Sequence, residues 1–158
     1  MSESTSIDTS SYADRALRLR WPVAIAIVLF AVSYPANDFE GLKSPWHDHG
    51  EADTSGGMLM VLAAIALVTA YVVFWVLMPW AIRRPAIGPV ALALSVVGFL
   101  LAPGFWTCVP PVLAAGGALL GWAGFDAAKG RRLSQAAFVI GVLGVIASIY
   151  SYADVLFI

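Results

Sequence analysis

The sequence predicts an all-α integral membrane protein, a bundle of five transmembrane helices, from two observations. The first is the run 58–80, MLMVLAAIALVTAYVVFWVLMPW, which contains no charged residue, histidine, asparagine or glutamine. At about 1.5 Å of rise per residue this run extends roughly 34 Å, enough to cross a hydrocarbon core of about 30 Å with some tilt. The second is composition: 12% of the residues are charged and 60% are hydrophobic, whereas a soluble domain carries about 25% charged residues.

Four further apolar segments accompany this run. The first begins at Trp21 and is short for a membrane span. It is long enough to cross only if the leucines before Trp21 are part of the span while the neighbouring arginines extend to the interface. The third and fourth are joined by the turn PGFWTCVPP, residues 103–111, and an alternative is that these two form a shallower hairpin. The predicted spans are residues 17–35, 58–80, 86–105, 111–127 and 133–156.

Basic residues predict the orientation of these spans. Eight of the nine Lys and Arg residues lie in alternate connections, and Lys43 is the exception. By the positive-inside rule those connections are cytoplasmic, so the N-terminus is inside and the C-terminus outside. Residues 1–14 are then a flexible cytoplasmic tail before a single transmembrane domain, 15–158, and residues 36–57 are an acidic external loop. The clusters are Arg15/Arg18/Arg20, Arg83/Arg84 and Lys129/Arg131/Arg132.

The external loop contains the one candidate metal site. His47 and His49 lie two residues apart, so in an extended segment both imidazoles face the same side. With Glu51 as a third ligand, imidazole and carboxylate together suit Zn²⁺ or Cu²⁺. The alternative is a hydrated acidic loop in which two histidines happen to be neighbours. No known motif requires the spacing of the two histidines, and this favours the hydrated acidic loop over a metal site.

The spans themselves contain little that could perform chemistry. Between the predicted interfaces they hold hydroxyl groups but no carboxylate, base or amide. Proton relays and cation pathways usually need such groups. We therefore expect that the protein is not an enzyme, and that it has no catalytic residue and no bound cofactor. Asp126 and Asp154 are predicted to be interfacial charges. Cys108 is predicted to be an inert thiol in the external turn, and pairing with a partner protein is the alternative.

Small residues are the positive signal in the last two spans. They recur at three- and four-residue spacing, which lets helix backbones approach closely in a membrane. The preferred interpretation is that the fourth and fifth helices pack on each other within this chain, and the alternative is docking onto another membrane subunit. The predicted helix-packing residues are Gly117, Gly121, Gly124, Ala137, Gly141, Gly144 and Ser148.

The run from Gly121 to Ile149, GWAGFDAAKGRRLSQAAFVIGVLGVIASI, resembles the end of small uncharacterised multi-pass membrane proteins of actinobacteria. In those proteins a Gly/Ala-rich helix, a basic turn and a Gly/Val/Ile-rich helix recur. The resemblance covers about a fifth of the chain. It implies a bacterial plasma-membrane protein and transfers no site residue.

Two functional hypotheses follow. The first is a non-enzymatic accessory or assembly subunit of a larger plasma-membrane complex, which contacts the lipid bilayer and other integral membrane subunits and binds no nucleic acid. The second is a small transporter, pore or metal-handling protein that uses the external loop as a capture site.

Overall fold

The computed structural model describes residues 12–37, 56–83, 87–127 and 130–157, and these residues form helices and short turns with no strand. The all-α fold predicted from the sequence is therefore confirmed. Helix α1 is Tyr12–Asn37, and α2 is Gly56–Tyr71. A π-helical turn, Val72–Leu77, continues α2 into the short α3, Met78–Ile82. The remaining helices are α4, Ile87–Leu100, α5, Val109–Ala123, and α6, Arg131–Phe157.

Three of these helical stretches are long and apolar enough to cross a membrane, namely Tyr12–Ser33, Gly57–Ile82 and Arg131–Ala153. Helices α4 and α5 are shorter, with 14 and 15 residues, which corresponds to about 21–23 Å of rise. Each is followed by a 3₁₀ turn, Ala102–Thr107 after α4 and Gly124–Asp126 after α5. The third and fourth predicted segments are thus helical but do not by themselves reach the length of a span.

The short helix α5 lies at the centre of the bundle and packs against α1, α2, α4 and α6. Twelve of its fifteen residues are buried. Most of these are alanine, glycine or proline, whose small side chains let the surrounding backbones come close. The long apolar run 58–80 stands out in the sequence, but the helix at the centre of the packing is α5.

The widened turn Val72–Leu77 has a local cause in Pro79. A proline inside a helix cannot donate to the carbonyl four residues earlier, and its ring clashes with that carbonyl. Opening the helix to π geometry relieves this conflict, and the Met78 amide donates to the Val73 carbonyl five residues before it. Val73 and Phe74, which belong to this turn, are buried.

Helices α1 and α5 run antiparallel, and α4 begins at the same end of the bundle as α6. The Tyr12 ring packs edge-on against Trp122 at 5.6 Å between centroids, whereas Cys108 at the other end of α5 contacts Ala31. Gly88 at the start of α4 lies against Gly130 before α6. One end of the bundle, called here the basic end, therefore carries the starts of α1, α4 and α6 with their arginines.

Helix α1 begins earlier than the sequence predicts. The helix includes residues 12–14, the last three residues of the predicted tail 1–14. The Tyr12 ring packs against Trp122 and lies 6.0 Å from Phe125, and the Arg15 guanidinium lies 6.0 Å from the Tyr12 ring centroid. These tertiary contacts extend the helix beyond the point where its apolar pattern starts.

Candidate functional site

The predicted metal ligands His47, His49 and Glu51 fall in the stretch 38–55, outside the described residues. Among the residues that the structure does describe, no three His, Cys, Asp or Glu side chains cluster in a way that suits a metal ion. The capture-loop interpretation therefore stays a prediction.

The predicted packing residues lie where α4, α5 and α6 meet. A Cβ placed on Gly117 would stand 2.6 Å from the backbone nitrogen of Ser95 on α4. A Cβ on Gly121 would stand 2.7 Å from the Ser134 carbonyl oxygen on α6, and one on Gly124 would meet the Ser134 side chain. Real Cβ atoms essentially never approach so closely, so the three helices pack at distances that only glycine permits here.

The α6 members of this set face α5 and α4. A Cβ on Gly141 would stand 2.7 Å from the Ala114 carbonyl oxygen, and one on Gly144 would stand 3.0 Å from the Ala114 methyl group. The carbonyl of Ala137 accepts a 2.7 Å hydrogen bond from the Ser95 hydroxyl, while the buried Ser148 hydroxyl donates within its own helix to Gly144. These small residues thus contact this same chain.

Cys108 is the one described residue other than glycine with a positive φ, +63°. It precedes α5, is completely buried, and donates from Sγ to the Ala31 carbonyl oxygen at 3.0 Å. Burial raises the pKa of the Cys108 thiol to about 11. A buried, protonated thiol is a poor nucleophile, which supports the predicted inert role over pairing with another protein.

An open apolar groove of about 530 Å³ lies between α1 and α2. Its deepest residues are Ala24 and Ala70, each 3% exposed, and its sides are larger side chains such as Ile25 and Leu67, which are mostly exposed. The full lining is Trp21, Ala24, Ile25, Val28, Leu29, Leu67, Ala70, Tyr71 and Trp75. The sequence analysis did not find this groove.

Three aromatic rings and one guanidinium occupy the end of this groove. Trp21 packs edge-on against Trp75 at 4.6 Å, and Tyr71 stacks on Trp75 at 6.3 Å between centroids. The Arg20 guanidinium carbon lies 5.8 Å from the Trp75 ring centroid. The sequence holds these residues in two segments about 50 positions apart, so only the antiparallel pairing of α1 with α2 reveals them as one cluster.

The groove closes towards the other end of the bundle. Ala31 and Ala66 are buried against Cys108, with Val28 and Leu62 packed beside them. The lining residues of the groove end at Leu29 on α1 and at Leu67 on α2.

Comparison of the chain with protein-family models, curated proteins and solved structures finds no match.

Proposed function

We propose that this chain is a bacterial plasma-membrane protein with five crossings that acts without catalysis, as an accessory or assembly subunit of a larger membrane complex. The observation that carries the proposal is the character of the interior. The buried side chains of the described residues are apolar, apart from the hydroxyls of Ser95, Ser134 and Ser148 and the protonated thiol of Cys108. Such an interior offers little with which to move a proton or an ion.

Five crossings fit this packing although α4 and α5 are short. Helix α5 is enclosed by four other helices, so its ends need not reach the lipid headgroups on their own. Short or irregular backbone at membrane depth is tolerated where protein surrounds it. The 3₁₀ turns Ala102–Thr107 and Gly124–Asp126 then complete the path of the chain towards each surface.

The charged groups of the described residues support the same orientation as the sequence. Arg18, Arg20, Arg83, Arg131 and Arg132 belong to helix ends that meet at the basic end. The positive-inside rule assigns that end to the cytoplasm. The small residues of α5 and α6 are already in contact with their own chain, so a partner subunit would bind the outward face of α2, which packs mainly against α1 and α5.

Purification from native membranes in a mild detergent tests this proposal. We expect the tagged chain to elute with a larger membrane protein in fixed stoichiometry, identified by mass spectrometry. Val68→Trp, on the exposed side of α2 (63% exposed), should release that partner, while Val139→Trp on α6 (55% exposed) should retain it. A solitary monomer under these conditions would contradict the proposal. Zn²⁺ or Cu²⁺ binding that is lost in a His47→Ala/His49→Ala variant would favour the capture-loop function instead.

A further inference from the structure

We propose that the α1–α2 groove binds an acyl chain of an anionic phospholipid from the leaflet at the basic end, and that Arg20 binds its headgroup phosphate. The inference requires that the helices lie in a membrane. It does not require that the chain be a subunit of a larger complex.

The extent of the groove fits one leaflet. On α1 its lining runs from Trp21 to Leu29, eight residue steps or about 12 Å of rise. One leaflet of a hydrocarbon core that is about 30 Å thick is about 15 Å deep. The lining ends at Leu29 on α1 and Leu67 on α2, so the groove begins at the basic end and stops near the bilayer centre.

The surface of the groove fits an alkyl chain. Its lining residues are aliphatic or aromatic, and its volume of about 530 Å³ lies within the roughly 300–1,000 Å³ of ordinary ligand sites. Alanines at the bottom and long side chains at the rim form a channel along the helix axis rather than a flat lipid-facing surface.

The charge at the groove's end fits a phosphate. Arg20 Nε is buried and has no hydrogen-bond partner among the described residues, and an unsatisfied buried donor is costly. The guanidinium is held over Trp75, at the position where tryptophan and tyrosine mark the membrane interface. The terminal nitrogens of this planar guanidinium match phosphate geometry, so a headgroup phosphate at the end of the groove would pair with them.

A second arginine lies next to the same end. Arg18 is exposed and lies one helical turn before Trp21, but it does not share a helix face with Arg20, because the two are only two residues apart. Arg20 gives the site a positive charge that a zwitterionic headgroup does not balance, and Arg18 adds to the positive charge of the basic end. A partner helix is the rival occupant, but a transmembrane helix would need a groove that continues across both leaflets.

Native mass spectrometry of the delipidated full-length protein tests the site. With equal amounts of phosphatidylglycerol and phosphatidylethanolamine of the same acyl chains, we expect one phosphatidylglycerol to be retained preferentially. Arg20→Gln should reduce that preference roughly fivefold, since a basic residue near a membrane surface contributes about a fivefold attraction. Arg20→Lys should retain most of it, and Arg131→Gln, an exposed arginine on α6, should leave it unchanged.

A second pair of variants tests the groove apart from the charge. Ile25→Trp fills the groove from an exposed position (56% exposed) and should weaken retention of both lipids several-fold. Val139→Trp, an exposed position on α6 that does not line the groove, should change neither. Both substitutions lie at the lipid-facing surface, so this arm remains decisive even if Arg20→Gln fails to fold.

Three results would overturn the proposal. The first is equal retention of the two lipids by the natural sequence. The second is displacement of phosphatidylglycerol by millimolar glycerol phosphate or inorganic phosphate, which would make this a simple anion site. The third is a copurifying polypeptide that Ile25→Trp releases while lipid retention stays unchanged.

Discussion

The Ser95 hydroxyl donates a 2.7 Å hydrogen bond to the Ala137 carbonyl oxygen, and this bond joins α4 to α6 across 42 positions of sequence. Both residues are completely buried. Gly117 on α5 lies directly against the Ser95 backbone, so three helices meet at this point. A side chain on α5 here would push α4 away and break the bond.

The first prediction concerns this hydrogen bond. Ser95→Ala removes the donor and leaves the Ala137 carbonyl with its helical partner alone, so we expect a loss of about 0.5–2 kcal/mol in the free energy of unfolding. Reversible unfolding in mixed detergent micelles, followed by circular dichroism, measures it. Ser148→Ala is the matched control, because the Ser148 hydroxyl bonds only within its own helix. An equal loss in both variants would contradict a special role for the α4–α6 bond.

The second prediction concerns the close approach of α5 to α4. Gly117→Ala places a Cβ 2.6 Å from the Ser95 nitrogen and 2.9 Å from its Cα. These are backbone atoms that cannot rotate away, so we expect at least the 1–3 kcal/mol typical of overpacking. Gly57→Ala is the control, since nothing lies within 4 Å of a Cβ there. It should be neutral or slightly stabilising because alanine is the better helix former. Unfolding midpoints that fall equally in both would show that α4 and α5 are not packed in this way.

The third prediction concerns the reactivity of Cys108. A pKa near 11 rather than 9.0 lowers the thiolate fraction about a hundredfold at pH 8, and thiolate is the form that reacts. We expect a membrane-permeant maleimide to label the folded protein at least a hundred times more slowly than the protein unfolded in dodecyl sulfate. Thr107→Cys in a Cys108→Ser background provides an exposed neighbour that should label quickly. Rapid labelling of native Cys108 would contradict its burial.

The same shift predicts how stability depends on pH. The thiol has a higher pKa in the folded protein than in the unfolded chain, so its contribution is fully present below pH 9 and is lost as the pH rises towards 11. We expect the unfolding midpoint to fall between pH 9 and pH 10.5 in the natural sequence. In Cys108→Ser, which keeps a donor for Ala31 but has no group that ionises in this range, the fall should be smaller. If the unfolding midpoint depends on pH in the same way in both proteins, ionisation of the Cys108 thiol is not the cause of the fall.

The fifth prediction concerns the number of crossings. If α4 and α5 both cross, the turn between them lies opposite the basic end. Thr107→Cys in the Cys108→Ser background should then react with a membrane-impermeant maleimide added to intact cells, whereas Arg131→Cys should react only after lysis. Both positions are exposed in the described structure. If Thr107→Cys also requires lysis, α4 and α5 form a shallow hairpin from the cytoplasmic side.

The residues by themselves determine the class of this protein. A run such as 58–80 has no polar face to offer water, so its composition alone requires an apolar surrounding. A run of this length without period-2 alternation also predicts a helix, which satisfies its backbone groups within the segment. Glycines at three- and four-residue spacing in α5 and α6 likewise predict close packing, because that spacing keeps them on one face of a helix.

Other features were decided by tertiary structure. The sequence cannot show that the short helix α5 lies at the centre, because burial on all sides depends on which helices surround it. It also cannot bring Trp21 and Arg20 against Trp75, since that cluster requires α1 and α2 to pair at one register. The spacing of apolar residues along each helix determines which of its faces can be exposed to water or to lipid. The packing of Ala31 and Ala66 around Cys108, and of Gly117 on Ser95, is set by tertiary structure.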